Sequence, residues 1–443
     1  MHRRRFLLTA GAALALGPTL ATSDAFARRK KKKKKPDVDE PVKGTGKGSD
    51  MPEEVNGGPI PLGPWRYGKS STATDAMLMF RGNPTHTFYG TGPVPTKPKV
   101  RWKHRMIDYD ALYYGTPHVW KGTGWTGQAG YLDGYVFVGS QGRNLYAFEA
   151  ATGKVRWRYQ AGRMFKSSLC IYENRLYIGN VDDWLRCFDA KTGEVLWRVN
   201  THHDLDSSPC VVDGRLYIAG ENGYARCLDP MTGEQIWKAF VGGLNRGPKP
   251  GSYGSETSPA VVDGELYTAT YDGELFNLDI ETGKKRWIAK THEDTDASPV
   301  VSGDYVYVAA EEKAPYVYCF SRKDGKEIWK MKGRRGFWST PAIVGDTLTI
   351  GGDDSRVYAV DKMTGKEKWT TKLGAQTWSS PAVVDDKVVI GCFDGNLYCL
   401  DHKTGKEVWK LKLGGRIHST PIIMKGVIYI GTGDGEFYAI EQG

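Results

Sequence analysis

The sequence predicts an all-β protein, an eight-bladed β-propeller of four-stranded antiparallel blades. Three observations predict it. A Gly turn followed four residues later by a Trp recurs at a near-constant spacing. A Ser/Thr-Pro step can be laid in register with it eight times, with Leu169 standing in once for the Pro. Between these markers lie short aliphatic and aromatic runs bounded by Gly or Asp turns, the pattern of repeated short strands.

The turn is clearest at Lys362-Met363-Thr364-Gly365-Lys366-Glu367-Lys368-Trp369. Its Gly recurs at Gly153, Gly193, Gly233, Gly283, Gly325, Gly365 and Gly405, and its Trp at Trp157, Trp197, Trp237, Trp287, Trp329, Trp369 and Trp409. The Gly spacings are 40, 40, 50, 42, 40 and 40 residues. A period near 40 with one aromatic anchor per unit lets a chain of this length fill one body instead of several domains.

One unit reads strand by strand in residues 379–412. Ser379 to Val384 is a buried strand ended by Asp385-Asp386, and Lys387 to Gly391 is a second strand. Asp394-Gly395 turns into Asn396–Asp401, and Thr404-Gly405 turns into Glu407–Leu411. Four short antiparallel strands match a propeller blade. The Pro step falls at Pro117, Pro209, Pro259, Pro299, Pro341, Pro381 and Pro421, with Leu169 completing eight. The Trp turn appears only seven times, but Lys99-Val100-Arg101-Trp102-Lys103 upstream has the fourth-strand pattern. That early strand is expected to complete the last blade, closing the ring and removing its free edges. Two repeats are enlarged, around Lys121 to Ala129 and from Val241 to Ser255. Long connections of this kind often carry function.

The N-terminus divides the chain into three parts. Residues 1–27 read as an export signal, with Arg3-Arg4-Arg5 before Phe6-Leu7-Leu8, an apolar run, and Ala25-Phe26-Ala27 as a cleavage site. The arginine pair followed by Phe-Leu resembles a twin-arginine signal, which places the mature protein in the periplasm or cell envelope. Residues 28–90 read as a polybasic run and disordered linker, and residues 91–443 as the propeller. The formal charge of +10 is concentrated at one end: residues 1–27 carry +2, Arg28 to Lys35 carry +8, and residues 36–443 sum to zero. The run Arg28–Lys35 could hold an anionic surface. With no basic face on the body, nucleic acid is not an expected partner. The apolar run is too short and interrupted to remain as a transmembrane helix of the mature protein.

The cysteines share slots of the repeat instead of pairing. Cys187, Cys227, Cys319 and Cys399 alternate with Ala147, Ala359 and Ala439, and Cys170 and Cys210 share a second slot. They are expected to be small core fillers without disulfides.

The Gly-Trp element resembles the tryptophan-docking repeat of pyrroloquinoline quinone (PQQ) alcohol dehydrogenases and their relatives. These include the propeller lipoprotein of the outer-membrane β-barrel assembly machinery. The resemblance covers about Lys97 to Gly443 and implies the fold. It implies neither presence nor absence of a cofactor, since the repeat serves both kinds of protein. The Trp itself is expected to pack between blades with its N–H bonded.

Function is sought where the repeats differ. Three residues before each Pro-type position the chain enters the innermost strand, so these side chains should ring one mouth of the channel. They are Tyr114, Lys166, Asp206, Glu256, Asp296, Trp338, Trp378 and His418. Three carboxylates on consecutive blades suggest a metal such as Ca²⁺ at Asp206, Glu256 and Asp296, or carboxyls of shifted pKa. His202-His203-Asp204 and His292-Glu293-Asp294 lie beside them; adjacent residues of an extended segment face opposite ways, so at most one of the two histidines faces the site.

Matched to the PQQ dehydrogenases, Asp206 and Glu256 fall on the Ca²⁺ ligands and Asp296 on the catalytic base. Lys313 resembles the residue contacting the quinone, and Trp338 and Trp378 are the aromatic candidates beside it. The chain departs from that pattern in having no adjacent Cys-Cys pair and no Cys-x-x-Cys-His haem site. The expectation is therefore an exported non-catalytic propeller, without a cofactor, that binds an envelope protein or polymer through its channel-mouth loops. The alternatives are a PQQ- and Ca²⁺-dependent dehydrogenase, and a carbohydrate-binding propeller stacking sugars on Trp338, Trp378 and Tyr114.

Overall fold

The computed structural model describes residues 42–43, 53–54, 58–113, 116–121, 127–242 and 254–443. Eight antiparallel sheets stand around a central axis; seven have their four blade strands in sequence order from the inside outwards, and the eighth takes its outermost strand from Pro98–Arg105. Blade 7 shows the unit: Ala382–Val384, Lys387–Gly391, Asn396–Asp401 and Glu407–Lys412. The inner three strands are almost wholly buried between neighbouring blades, whereas the outermost keeps only its Trp inside. Isoleucines and a valine just before that Trp (Ile236, Ile328, Val408) stay exposed.

The cross-strand partner of each Trp is a small or slim residue, which accounts for the shared slot. Cys187, Cys227, Cys319 and Cys399 lie opposite Trp197, Trp237, Trp329 and Trp409, while Ala147, Ala359 and Ala439 lie opposite Trp157, Trp369 and Trp102. Blade 4 uses Asn277 there. A bulge follows in every blade and turns the strand outwards. All seven cysteines are free and buried.

Each indole then docks on the next blade. Trp329 Nε1 donates to the carbonyl of Lys362 at 2.9 Å, and Trp369 donates to His402 at 2.9 Å. The turn glycine lies under the ring: Gly365 has φ 69°, and a Cβ there would sit 2.6 Å from Trp329 Cε3. Only glycine meets both conditions.

Closure follows the expectation. Strand Pro98–Arg105 pairs with Glu436–Gln442, and Trp102 docks on Ala150 of blade 1 at 2.9 Å. Because every blade meets two neighbours, hydrophobic clusters cross the blade boundaries, one of them joining Trp369, Val388 and Ile428 of blades 6, 7 and 8.

Two expectations are corrected. The innermost strand of blade 1 is Gly130–Leu132, so the Pro-type position there is Ala129. Pro117 instead belongs to a separate hairpin, Tyr109–Tyr113 with Thr116–Trp120, on a two-stranded sheet where a proline is tolerated. The extra residues of the first repeat thus precede Ala129 instead of following Pro117.

The second correction concerns the linker. Residues 58–90 are not a disordered tether. Ala76, Met77, Leu78, Met79 and Phe80 are buried, and the segment threads the central channel. In seven blades the middle residue of the innermost strand meets it. Met77 and Tyr131 exchange amide bonds of 2.9 Å, while Ile171, Val261 and Val301 donate to Leu78, Pro84 and Thr85. Ser71 and Thr91 donate to Val211 and Ile423, and the Tyr89 hydroxyl accepts from Ile343 N. Arg81 reaches the remaining blade, donating to Pro381 O at 2.7 Å and to Pro341 O at 3.0 Å. The inner sheet edges would otherwise be unpaired, and the segment satisfies them. At Gly90 the approach is so close that a Cβ would fall 1.8 Å from Ile423 O.

The signal at 1–27, the run Arg28–Lys35, and most of the two enlarged connections lie outside the described residues. Among the described residues no helix is long and apolar enough to cross a membrane.

Candidate functional site: an acidic cup at the channel mouth

The segment in the channel leaves a small cup above Phe80, with a cavity volume of about 40 Å³. Its lower wall is a belt of hydroxyls. Each belt residue's amide donates to the hydroxyl of the next blade: Ser168 to Ser208 at 2.9 Å, Ser208 to Ser258 at 3.1 Å, Ser258 to Ser298 at 2.9 Å and Ser298 to Thr340 at 3.0 Å. This gives the Ser/Thr of the Ser/Thr-Pro step its role, since the blade-to-blade stagger leaves that amide facing only its neighbour's side chain.

Above the belt stands the variable ring. Lys166, Asp206, Glu256, Asp296 and Trp338 line the cup together, as the repeat register implies. Trp378 stacks behind Trp338, with centroids 4.0 Å apart and planes at 12°. His418 lies against Trp378 and Phe393, and burial pushes its pKa down to about 3. Tyr114 lies outside the described residues. So does residue 126, which the corrected register puts in its place.

A second ring, which the sequence reading missed, stands fifteen residues further along each repeat, the separation of Tyr271 from Glu256. It carries Glu221, Tyr271, Glu311, Asp353 and Phe393. Tyr271 donates to Glu256, and Trp378 Nε1 donates to Asp353 Oδ1 at 2.7 Å. The signal was available: laying the repeats in register at their second hairpin shows acidic residues on blades 3, 5 and 6 amid Val181, Phe393 and Gly433.

The two rings bring carboxylates together. Ligand oxygens of Asp206, Glu221 and Glu256 lie within 4.8 Å of one another, and so do those of Asp294, Asp296 and Glu311. Lys166 Nζ donates to Asp206 Oδ2 at 2.5 Å. Burial opposes charge on Lys166, but Asp206, Glu256 and Glu221 outweigh it and raise its pKa. Burial lifts Asp206 to about 6 and Glu221 to about 8, with neighbouring carboxylates adding to both. Burial likewise raises Asp353 to about 7.

Of the paired histidines, His203 alone turns inwards, with Nδ1 3.4 Å from Glu221, while His202 is exposed at φ 64°. Lys313 stands off the cup, largely exposed, with Nζ 3.4 Å from Glu293.

This donor set suits a cation. Three carboxylate oxygens within 4.8 Å of one another repel unless a proton or a positive group lies among them. It does not suit PQQ, whose three carboxylates would enter a cup lined by Asp206, Glu256 and Asp296 with Lys166 as the cation among its lining residues. One face of Trp338 is moreover already covered by Trp378.

A family model described as outer membrane protein assembly factor BamB matches residues 99–331, 315–392 and 353–443. Comparison with curated proteins returns no match. Among solved structures, BamB from Moraxella catarrhalis superposes with TM-score 0.63 at 17% identity, covering 78% of this chain and 99% of that one. A europium-containing methanol dehydrogenase gives 0.69 at 15% identity, covering 84% and 99%. The computationally designed Ika8 protein gives 0.61 at 15% identity, covering 72% and 96%. BamB, a methanol dehydrogenase and a designed protein resemble the chain about equally, so this likeness carries the fold alone.

Proposed function

Since the chain belongs to the family of outer membrane protein assembly factor BamB, we propose that it is a non-catalytic binding propeller of the cell envelope. Its working surface is the acidic channel mouth, which receives a protein or polymer partner. The carrying observation is the cup, stoppered by the chain's own Phe80 and walled by the half-buried carboxylates of Asp206, Glu256 and Asp296. Such a cup offers one entrance, complementary in charge to a basic partner. The polybasic run Arg28–Lys35 would add a second, sequence-independent attachment to an anionic envelope surface, in keeping with export to the periplasm. The test places a photo-cross-linking residue at Glu293, beside the mouth, and another at Ile328 on the outer rim. Envelope partners captured at Glu293 and not at Ile328 support the reading, and capture at neither overturns it.

A second reading is favoured by the convergence of Asp206, Glu221 and Glu256. It is the PQQ- and Ca²⁺-dependent dehydrogenase of the earlier alternative, whose Ca²⁺ these carboxylates would hold, although the same lining does not suit PQQ. Adding PQQ with Ca²⁺ at 100 times the dissociation constant would then stabilise the protein by about 2.7 kcal/mol. An unchanged melting temperature, and no change in the quinone spectrum, rules that reading out.

A further inference from the structure

We propose that the cup is a receptor for a single organic cation on an unbranched stem, a lysine-type ammonium or an arginine-type guanidinium presented by a partner protein. The inference rests on the binding-propeller reading and gives its partner a chemistry.

The first ground is an unsatisfied oxygen. The Asp206 side chain is 7% exposed and lines the cup. Its Oδ2 accepts from Lys166, but its Oδ1 accepts no hydrogen bond among the described residues. A buried carboxylate oxygen without a donor is costly, so a donor entering the cup gains the full difference. The second ground is the opposite wall. Trp338 shares the cavity with Asp206, Glu256 and Asp296, and Phe80 forms its floor. Carboxylates facing an aromatic ring suit a cation with apolar carbon behind it: the head takes the oxygens, and the stem lies along the indole.

The third ground separates organic from inorganic cations. Lys166 already brings an ammonium on an aliphatic stem to Asp206, so the cup shows what it accepts. A dication at the same oxygens would meet twice the repulsion from Lys166 that a monocation meets. It would also need six to eight oxygen ligands, and Trp338 and Phe80 supply none.

The test uses the whole mature chain at low salt, with Nα-acetyl-lysine methylamide and n-butylguanidinium as probes. n-Butanol and CaCl₂ are the controls, and binding is read by calorimetry and tryptophan fluorescence. Both cations should bind saturably and n-butanol should not. Asp206→Asn and Trp338→Leu should each weaken the cations about tenfold. Either variant could instead fail to fold, so Lys166→Met supplies the opposite sign. Removing the resident ammonium should tighten the probes, which a folding defect cannot do. Cation binding no better than n-butanol, or unchanged in both Asp206→Asn and Lys166→Met, overturns the inference. So does CaCl₂ binding that displaces the probes and is itself lost in Asp206→Asn, which would mark a metal site. If the probes fail while Glu293 still captures a partner, the inference falls and the binding propeller stands. If the probes bind while Glu293 captures nothing, the cation site stands and the envelope role falls.

Discussion

The indole of Trp409 donates to the carbonyl of Pro95 at 2.7 Å across 314 positions of sequence. This one bond joins blade 7 to the segment that leaves the channel and becomes the last strand of blade 8. It thus couples two closures, the plugging of the channel and the sealing of the ring.

Trp409→Ala should therefore cost more than a surface aromatic would. The ring is nine-tenths buried, and deleting it from a packed interface costs about 3–5 kcal/mol. Trp409→Phe keeps most of the apolar area and loses the N–H bond, a cost of about 1–2 kcal/mol. Urea unfolding of the two variants gives the ratio, and equal costs would show that the bond, not the packing, matters there.

Arg81 is the buried cation of the channel segment, held by two carbonyls and lying 4.4 Å over the Tyr89 ring. Burial lowers its pKa to about 10, so it stays charged at neutral pH. Arg81→Leu should destabilise by about 2–4 kcal/mol, because the Pro341 and Pro381 oxygens lose their donors in a dry site. A cost near zero would mean that the channel segment contributes nothing to stability.

Beside it, burial pushes His86 down to about 4. The unfolded chain, with an ordinary histidine near 6.5, then binds a proton that the folded chain refuses. Stability is present above pH 6.5 and falls as pH drops towards 4, by up to about 3 kcal/mol. His86→Asn, which keeps a donor for Pro299 O, should flatten that acid limb in melting curves taken from pH 7 to pH 4.

Glu221 works in the opposite sense. Its folded pKa of about 8 lies above that of the unfolded chain, so its contribution is present at acid pH and lost as pH rises towards 8. The groups acting on it are Asp206, Glu256, Asp204 and His203. Glu221→Gln should be stabilised relative to the parent at pH 8.5 and much less so at pH 5. The reverse order would mean that the cup is better solvated than its burial implies.

The Trp338–Trp378 stack should give an exciton couplet in the far-ultraviolet circular dichroism, absent in both Trp338→Phe and Trp378→Phe. A spectrum that loses only single-residue intensity would mean that the rings are apart in solution.

The fold was legible because each repeat repeats its physics. The small residue opposite the Trp, the turn glycine beneath the next ring and the early strand around Trp102 are separate constraints with one period. Most of the variable ring was legible for the same reason, from Lys166 to His418. Blade 1 was not, because Thr116-Pro117 copies the marker by chance on an outlying hairpin. The channel segment was hidden for another reason. It touches every blade, along no repeating direction, so Met77 to Phe80 has neither strand nor helix periodicity. Glu221, Glu311 and Asp353 were missed because register was followed at the first turn of the blade and not at the second.

The channel segment has a consequence for the order of assembly. Residues 71–91 touch the inner strand of every blade, and the strand after them waits for Glu436–Gln442. The ring is complete only when its earliest folded residues meet the latest ones. Such long-range pairing makes folding slow and delays it until synthesis is nearly complete. A ring of this design is therefore either open or finished, and its closing strand pair is the last contact to be made.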